Sequence, residues 1–388
     1  MESLNELFYQ NPYLKAFTAK VLSCGEGKNG FEVTLSDTAF YPEGGGQPAD
    51  HGKIGEAIVS DTRKVNGAII HFTDKPLEVG SEVSCSIDWD RRFSNMQNHS
   101  GEHLFSGLVN KKFDYDNVGF HMDDDTITVD FDGPISDEEL AELERQTNDA
   151  IVSNLPIEIS FPDEETRKTL EFRSKKELSG KVRIVDIPGC DRCACCGTHV
   201  KTTGEIGAFK VLSSMRHRGG MRIEFVCGLR ALADYQRRLT ENQKISELLS
   251  AKPHEISQAV EKTLNELADR KAEIVALRNE IFEYKAAAIP EGGKVLISFE
   301  KDFAPLDLRR FCTLLAEKKK AEHIAVLSET APGLFSYVLF GPAEEMRDAS
   351  KALNQKLSGK GGGSGGFVQG SYKADQATIE EAIKAQFA

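Results

Sequence analysis

Through residues 1–90, apolar and polar positions alternate in short runs such as Phe31-Glu-Val-Thr-Leu35 and Val83-Ser-Cys-Ser-Ile87. Turn formers separate them, at Gly25-Glu-Gly-Lys-Asn-Gly30 and Asn66-Gly67. A period of two in β-branched residues, punctuated in this way, predicts the strands of a small barrel or curled sheet. From Arg91 to Lys112 the pattern turns helical. Strands are expected at 118–132, 155–161, 181–187 and 206–227, with a helix from Ser136 to Val152. Ser136 is its N-cap, and Glu138 and Glu139 fall in its first turn. Residues 91–228 therefore read as a mixed α+β domain.

Residues 229–289 change again. Val260, Leu267, Ile274 and Ile281 recur every seven residues, Leu264, Leu277 and Tyr284 form a neighbouring stripe, and charges cover the rest. Pro253 interrupts the pattern, so two helices are expected, the second long. The stripe suits a packed hairpin or a coil through which two copies of the chain dimerise, although Lys271 and Arg278 stand where an ideal seam is apolar. In residues 290–388 the order is strand (Lys294–Phe299), helix (Leu306–Lys319), strands (His323–Leu327 and Leu334–Phe340), helix (Ala343–Leu357), glycine-rich loop and a closing helix from Asp375. That is an α/β domain, which offers a second surface for a homodimer. The whole is α+β, from an N-terminal β-barrel through an α+β domain and a long helical connector to a C-terminal α/β domain.

A chain of 388 residues exceeds one ordinary core and fits this multi-domain reading. The N-terminus lacks a basic stretch followed by an apolar run, and no apolar segment reaches the roughly 18 residues of a membrane span, which points to the cytoplasm. Of the eight cysteines, Cys190, Cys193, Cys195 and Cys196 crowd into one short segment. In a reducing compartment that clustering signals metal binding or thiol chemistry. Cys24, Cys85, Cys227 and Cys312 read as small buried hydrophobes. The net charge of −13 argues against non-specific nucleic-acid binding, so an RNA partner would need a local basic face.

Two elements carry metal-ligand chemistry. His99-x-x-x-His103 places two imidazoles one turn apart on one helix face, and Cys195-x-x-x-His199 adds a thiolate and a third imidazole. Such a mixture favours zinc over magnesium or calcium, as a structural or a catalytic ion, with Cys190, Cys193 and Cys196 as rival ligands. A third element, Tyr41-Pro-Glu-Gly-Gly-Gly-Gln-Pro-Ala-Asp50, is a tight turn in which Gly44, Gly45 and Gly46 allow close approach of a ligand to the backbone, followed by the amide of Gln47.

These three segments, in this order, resemble the editing domain of alanyl-tRNA synthetase and, more closely, its free-standing AlaX relatives. The carrying residues are Phe40–Asp50, Asn98-His-Ser-Gly-Glu-His-Leu104, Cys195-Cys-Gly-Thr-His-Val200 with Thr203-Gly-Glu-Ile-Gly207, and Arg218-Gly-Gly-Met-Arg-Ile-Glu224. Gly359–Gly370 resembles the glycine-rich signature of the domain that ends the synthetase and the DHH phosphoesterases, although the DHH metal motif itself is absent. The resemblance implies a long-form AlaX protein that edits but does not aminoacylate. It implies Zn2+ on His99, His103, Cys195 and His199, and an aminoacyl pocket lined by Gly44, Gly45, Gly46 and Gln47. It implies a tRNA(Ala) contact through Gly361, Gly362, Gly363, Ser364, Gly365 and Gly366.

Where the synthetase commonly has threonine before the second histidine, this chain has Glu102, which contacts the substrate amino group, serves as a base through water, or points to solvent. Serine exceeds alanine only by a hydroxyl, which a small apolar pocket rejects poorly, by about a hundredfold; a second hydrolytic sieve must read that hydroxyl. Gln47 is the expected reader, and Gln47 and Glu102 are the expected catalytic pair. The expected reaction is deacylation of mischarged tRNA(Ala), chiefly Ser-tRNA(Ala) with Gly-tRNA(Ala) as a secondary substrate; the alternative is a non-catalytic tRNA-binding protein with a structural zinc.

Overall fold

The computed structural model describes residues 5–28, 30–174 and 182–387. Residues 1–4, Asn29 of the first turn, Lys181 of the strand expected at 181–187, and Ala388 lie outside the described residues. The chain divides into two compact units, Met1–Lys244 and Ile245–Ala388.

The first unit opens with six strands, β1 (Ala16–Gly27), β2 (Gly30–Leu35), β3 (Gly52–Ile54), β4 (Ala57–Val65), β5 (Ala68–Thr73) and β6 (Glu82–Ile87). They close into a barrel in the order β1-β2-β5-β4-β3-β6. Alternation turns Val21, Val33, Leu35, Ile54, Val59 and Cys85 into its core, while Cys24 stays half-buried and accepts from the Leu77 N–H. His71 is buried beside them, with Nε2 against Thr38 Oγ1 (2.8 Å) and Nδ1 against the Val33 carbonyl (3.0 Å). Burial holds it mostly neutral, its pKa lowered to about 4.

Asp88 caps α1 (Trp89–Phe113) by accepting from the Arg91 N–H. Its middle is buried almost all round, although it carries Arg92, Asn95, Gln97, Asn98, His99, Ser100, Glu102, His103 and Ser106. A polar helix in such a place requires partners for every group, and the site below supplies most of them. Strands β7 (Asn117–Met122) and β8 (Ile127–Phe131) follow, then α2 (Asp137–Val152), which starts with a capping box between Ser136 and Glu139. After β9 (Glu158–Ser160), β10 (Ile184–Ile187) and β11 (Asp191–Ala194) come β12 (Phe209–His217) and β13 (Gly220–Cys227). The sheets are β12-β13-β8-β7 and β9-β10-β11. Phe105 of α1 stacks on Phe209 (centroids 4.9 Å apart) at the centre of the second core, where truncation to alanine costs about 3–5 kcal/mol.

Pro253 falls between α3 (Gly228–Leu249) and α4 (Ile256–Ala288). The second unit then builds β14 (Gly293–Glu300), α5 (Pro305–Glu317), β15 (Ala321–Ala331), β16 (Leu334–Phe340), α6 (Ala343–Lys356), β17 (Lys360–Gly362), β18 (Phe367–Lys373) and α7 (Gln376–Phe387), with sheet order β14-β15-β16-β18-β17. The expected glycine loop is thus largely a hairpin. Gly361 and Gly363 are steric requirements of that hairpin, since a Cβ would fall 2.4 Å from the Gln369 carbonyl at Gly361 and 2.1 Å from the Phe367 carbonyl at Gly363, whereas Gly362 faces open space.

Candidate metal centre

The site begins with the glycine turn. The Tyr41 N–H donates to Asp50 Oδ2 (2.6 Å), the Asp50 N–H returns to the Tyr41 carbonyl (2.9 Å), and Gly44 and Gln47 exchange backbone bonds. Asp50 also takes the fully buried Arg92 of α1, whose Nε lies 2.8–2.9 Å from both carboxylate oxygens. This buried pair ties the turn to the helix that carries the histidines. Removing either partner would strand a charge at a cost of about 3–5 kcal/mol.

So clamped, Gln47 is wholly buried and its amide is engaged. Nε2 donates to Thr198 Oγ1 (2.8 Å), and Oε1 accepts from the Thr198 N–H (3.0 Å) and from His99 Nδ1 (2.9 Å). The orientation leaves His99 Nε2 directed inward, 3.4 Å from Cys195 Sγ. The other two imidazoles are held in the same sense. His103 Nδ1 donates to Asp191 Oδ2 (2.9 Å), whose Oδ1 accepts from Arg173 Nε (2.8 Å), and His199 Nδ1 lies 3.2 Å from Ser100 Oγ. Three rings fastened at Nδ1 present Nε2 to a common point. One ligand atom from each of His99, His103, Cys195 and His199 lies within 4.8 Å of the other three.

The chemistry of this set fits a bound cation. His199 Nε2 is buried and, among the described residues, has no hydrogen-bond partner. Burial pushes the His199 imidazole down to about 3, so it is neutral and its inward lone pair is available. Burial would raise the Cys195 thiol, but the charges of His99 and His103 outweigh it and hold Cys195 well below the usual range, as a thiolate. Burial lowers His103, and Cys195 and Asp191 more than offset that, raising it well above its ordinary value; a cation among these atoms would supply the positive charge instead. The Gly197 N–H donates to Cys195 Sγ (3.2 Å), and Gly197 admits no side chain, since a Cβ there would lie 2.0 Å from the His99 ring. Of the rival cysteines, Cys193 is buried near His103 and Asp191, Cys190 is half-buried, and Cys196 is exposed.

Glu102 is buried, which removes the solvent-facing option. Its Oε1 accepts from Ser106 Oγ (2.7 Å) and from Asn117 Nδ2, joining α1 to β7. On the same strand Phe120 lies against His99 (centroids 5.3 Å apart), and a Cβ on Gly46 would strike its ring. Gly45 and Gly46 are exposed beside it, while Gly44 spends its N–H and carbonyl on Gln47 and its carbonyl also on Tyr41 Oη. Gly361, Gly362, Gly363, Ser364, Gly365 and Gly366 belong to the second unit. Residues that sequence reasoning missed are Asp50, Arg92, Ser100, Arg173, Asp191 and Thr198. Asp50 closes the glycine segment and Asp191 sits inside the cysteine cluster, so both offered a signal by position; Arg173 offered none.

Residues 10–91 match the family of class II (A) tRNA synthetases, and residues 182–224 match the threonyl and alanyl tRNA synthetase second additional domain. Alanyl-tRNA editing protein AlaX-L of Pyrococcus horikoshii is 32% identical over 96% of this chain and 95% of its own length. Alanyl-tRNA editing protein Aarsd1 of Mus musculus is 28% identical over 98% of this chain and 99% of its own. The alanine–tRNA ligase of Pyrococcus abyssi is 31% identical over 97% of this chain, a match that takes up 43% of that enzyme.

Proposed function

The chain belongs to the alanyl-tRNA editing proteins, and from that premise we propose that it hydrolyses the ester of tRNA(Ala) carrying the wrong amino acid, chiefly serine and also glycine, at a zinc ion held by His99, His103, Cys195 and His199. The observation that carries this reading is the convergence of three fastened imidazoles and one thiolate, with the buried His199 Nε2 left for a ligand bond. Cysteine and histidine together suit zinc. When bound, zinc supplies a Lewis acid that polarises a ligated oxygen or anchors the tRNA end.

The protein's own part is positioning. In the overall reaction water adds to the acyl carbon, the ester C–O bond breaks, and the ribose hydroxyl leaves with a proton. Gln47 holds His99 and the Thr198 segment in place, so it serves the reaction through the ligand it orients. Glu102 fixes α1 to β7, which carries Phe120 toward His99 and the exposed Gly45 and Gly46. That ring and those glycines form the wall against which the aminoacyl end is expected to lie. On the second unit the open positions Gly362 and Ser364 are the expected tRNA(Ala) contacts. Among the described residues no helix is long and apolar enough to cross a membrane, in keeping with a cytoplasmic role.

Incubation of Ser-, Gly- and Ala-tRNA(Ala) with the zinc-loaded protein, with and without chelator, tests the proposal. Chelator-sensitive release of serine supports it, and release no faster than buffer refutes it. One observation favours a second reading: four protein ligands can close a zinc site, as structural zinc requires. A protein that binds Ser-tRNA(Ala) and leaves its ester intact would be that structural-zinc RNA binder.

A further inference from the structure

Asn95 lies one turn before His99 on α1, and the two share a face with Arg91. The contacts of the outer two locate the middle one. Arg91 Nε donates to the Ala49 carbonyl of the glycine turn (3.1 Å), and its Nη1 donates to Asp124, just past β7. His99 takes Gln47 of the same turn at Nδ1 and lies against Phe120 of β7. Asn95 therefore stands at the floor of the cleft between turn and strand, whose mouth is formed by the exposed Gly45 and Gly46 and the half-buried Phe120.

The Asn95 amide has a fixed sense. Arg230, near the start of α3, donates from Nε to Ser94 Oγ (2.9 Å), from Nη1 to the Asp123 carbonyl (2.6 Å) and from Nη2 to Asn95 Oδ1 (2.8 Å). A guanidinium only donates, so the Asn95 oxygen must face it and the NH2 group must face away. Asn95 is wholly buried, and among the described residues its Nδ2 has no hydrogen-bond partner. Buried donors are nearly always paired, and one that is held open by an arginine, a turn away from a candidate metal ligand, points to an incoming acceptor.

Among the groups in which seryl, alanyl and glycyl ends differ, only the serine hydroxyl accepts a hydrogen bond. Gln47 is engaged with His99 and Thr198 and leaves that hydroxyl to another residue. We infer, on the premise of the editing activity proposed above, that Asn95 Nδ2 donates to the hydroxyl of the seryl group and so determines which aminoacyl end the site prefers. Because Nδ2 is closed to water in the empty site, the hydroxyl gains a partner without displacing one from the protein. The methyl of alanine or the hydrogen of glycine leaves the donor unpaired, which is how a polar site favours the substrate that carries the hydroxyl.

Steady-state deacylation of Ser- and Gly-tRNA(Ala) by the zinc-loaded full chain tests this, with zinc affinity and melting temperature measured beside it. Asn95→Leu should lower kcat/KM on Ser-tRNA(Ala) about 10–100-fold and leave Gly-tRNA(Ala) within about twofold, with zinc affinity unchanged. Asn95→Asp keeps one oxygen for Arg230 and offers the other to the hydroxyl proton, so the preference for serine should survive. Asn95→Ala removes the same donor without adding bulk, and it replaces the leucine variant if that one fails to fold. A wild type that releases neither amino acid refutes the editing activity, and the inference falls with it. An active wild type with no preference for serine overturns the inference alone. So do leucine and alanine variants that keep the wild-type serine-to-glycine ratio, lose both substrates equally, or bind zinc more weakly.

Discussion

Gln47→Leu separates two roles for this amide. Leucine fills a similar volume but offers no acceptor to the Thr198 N–H or His99 Nδ1 and no donor to Thr198 Oγ1. All three groups are buried there, and each unpaired one costs about 1–3 kcal/mol. His99 can escape by turning its ring, and the ring then no longer presents Nε2 to the other ligands. Loss of a group that orients a metal-ligating histidine lowers metal affinity by about 10–100-fold. Zinc competition against a chromogenic chelator should show that loss, and deacylation of Ser-tRNA(Ala) should recover most of its rate once zinc is raised to saturation. Gln47→Glu keeps both acceptors toward His99 and Thr198, so zinc affinity stays at or above that of the wild type. If Gln47→Leu instead binds zinc as the wild type does, and remains slow on Ser-tRNA(Ala) at saturating zinc, the amide reads the substrate and the positioning argument is wrong.

Asp191→Asn presents an amide where both His103 Nδ1 and Arg173 Nε need an acceptor; zinc affinity should fall about 10–100-fold and the melting temperature should drop, both read on the purified protein. His71 should make the barrel acid-sensitive. Its folded pKa of about 4 lies below the ordinary 6.5, so the unfolded chain binds the extra proton between these values; the stabilisation is full above pH 6.5 and about 3 kcal/mol is lost as pH falls to 4. Denaturant titrations at several pH values should show this slope, and His71→Gln should flatten it. In the glycine hairpin, Gly361→Ala drives a Cβ into the Gln369 carbonyl and should destabilise the second unit by about 1–3 kcal/mol, whereas Gly362→Ala should melt as the wild type does. Gly362→Glu should likewise melt normally while weakening tRNA(Ala) binding in a filter assay, which places the RNA on that face.

The periodic parts of the fold were legible because their signal is local. The barrel alternation, the Ser136 cap and the two helices around Pro253 each depend on neighbours within a few residues. The two candidate ligand pairs stand out for the same reason, since each lies within one turn or one short loop. What orients them was hidden, because those contacts span 52 residues from Gln47 to His99, 88 from His103 to Asp191, 99 from Ser100 to His199 and 151 from Gln47 to Thr198.

The same distance explains why Gln47 and Glu102 read differently once folded. Taken alone, an amide beside three glycines looks like a group displayed to a ligand, and a glutamate between two metal-binding histidines looks displayed as well. Both are buried, Gln47 against His99 and Thr198 and Glu102 against Ser106 and Asn117 of β7, because the middle of α1 is covered by protein rather than by solvent. Its polar residues therefore stand where a hydrophobic stripe would be expected, and periodicity cannot distinguish such a helix from an exposed one. The glycines supply the missing clue. Gly107, one turn beyond His103, has no room for a Cβ, which would sit 2.5 Å from Asp191 Cβ. A small residue on an otherwise functional helix face thus marks the point where a remote strand must come close enough to fix a ligand, and that strand is where the orienting carboxylate is found.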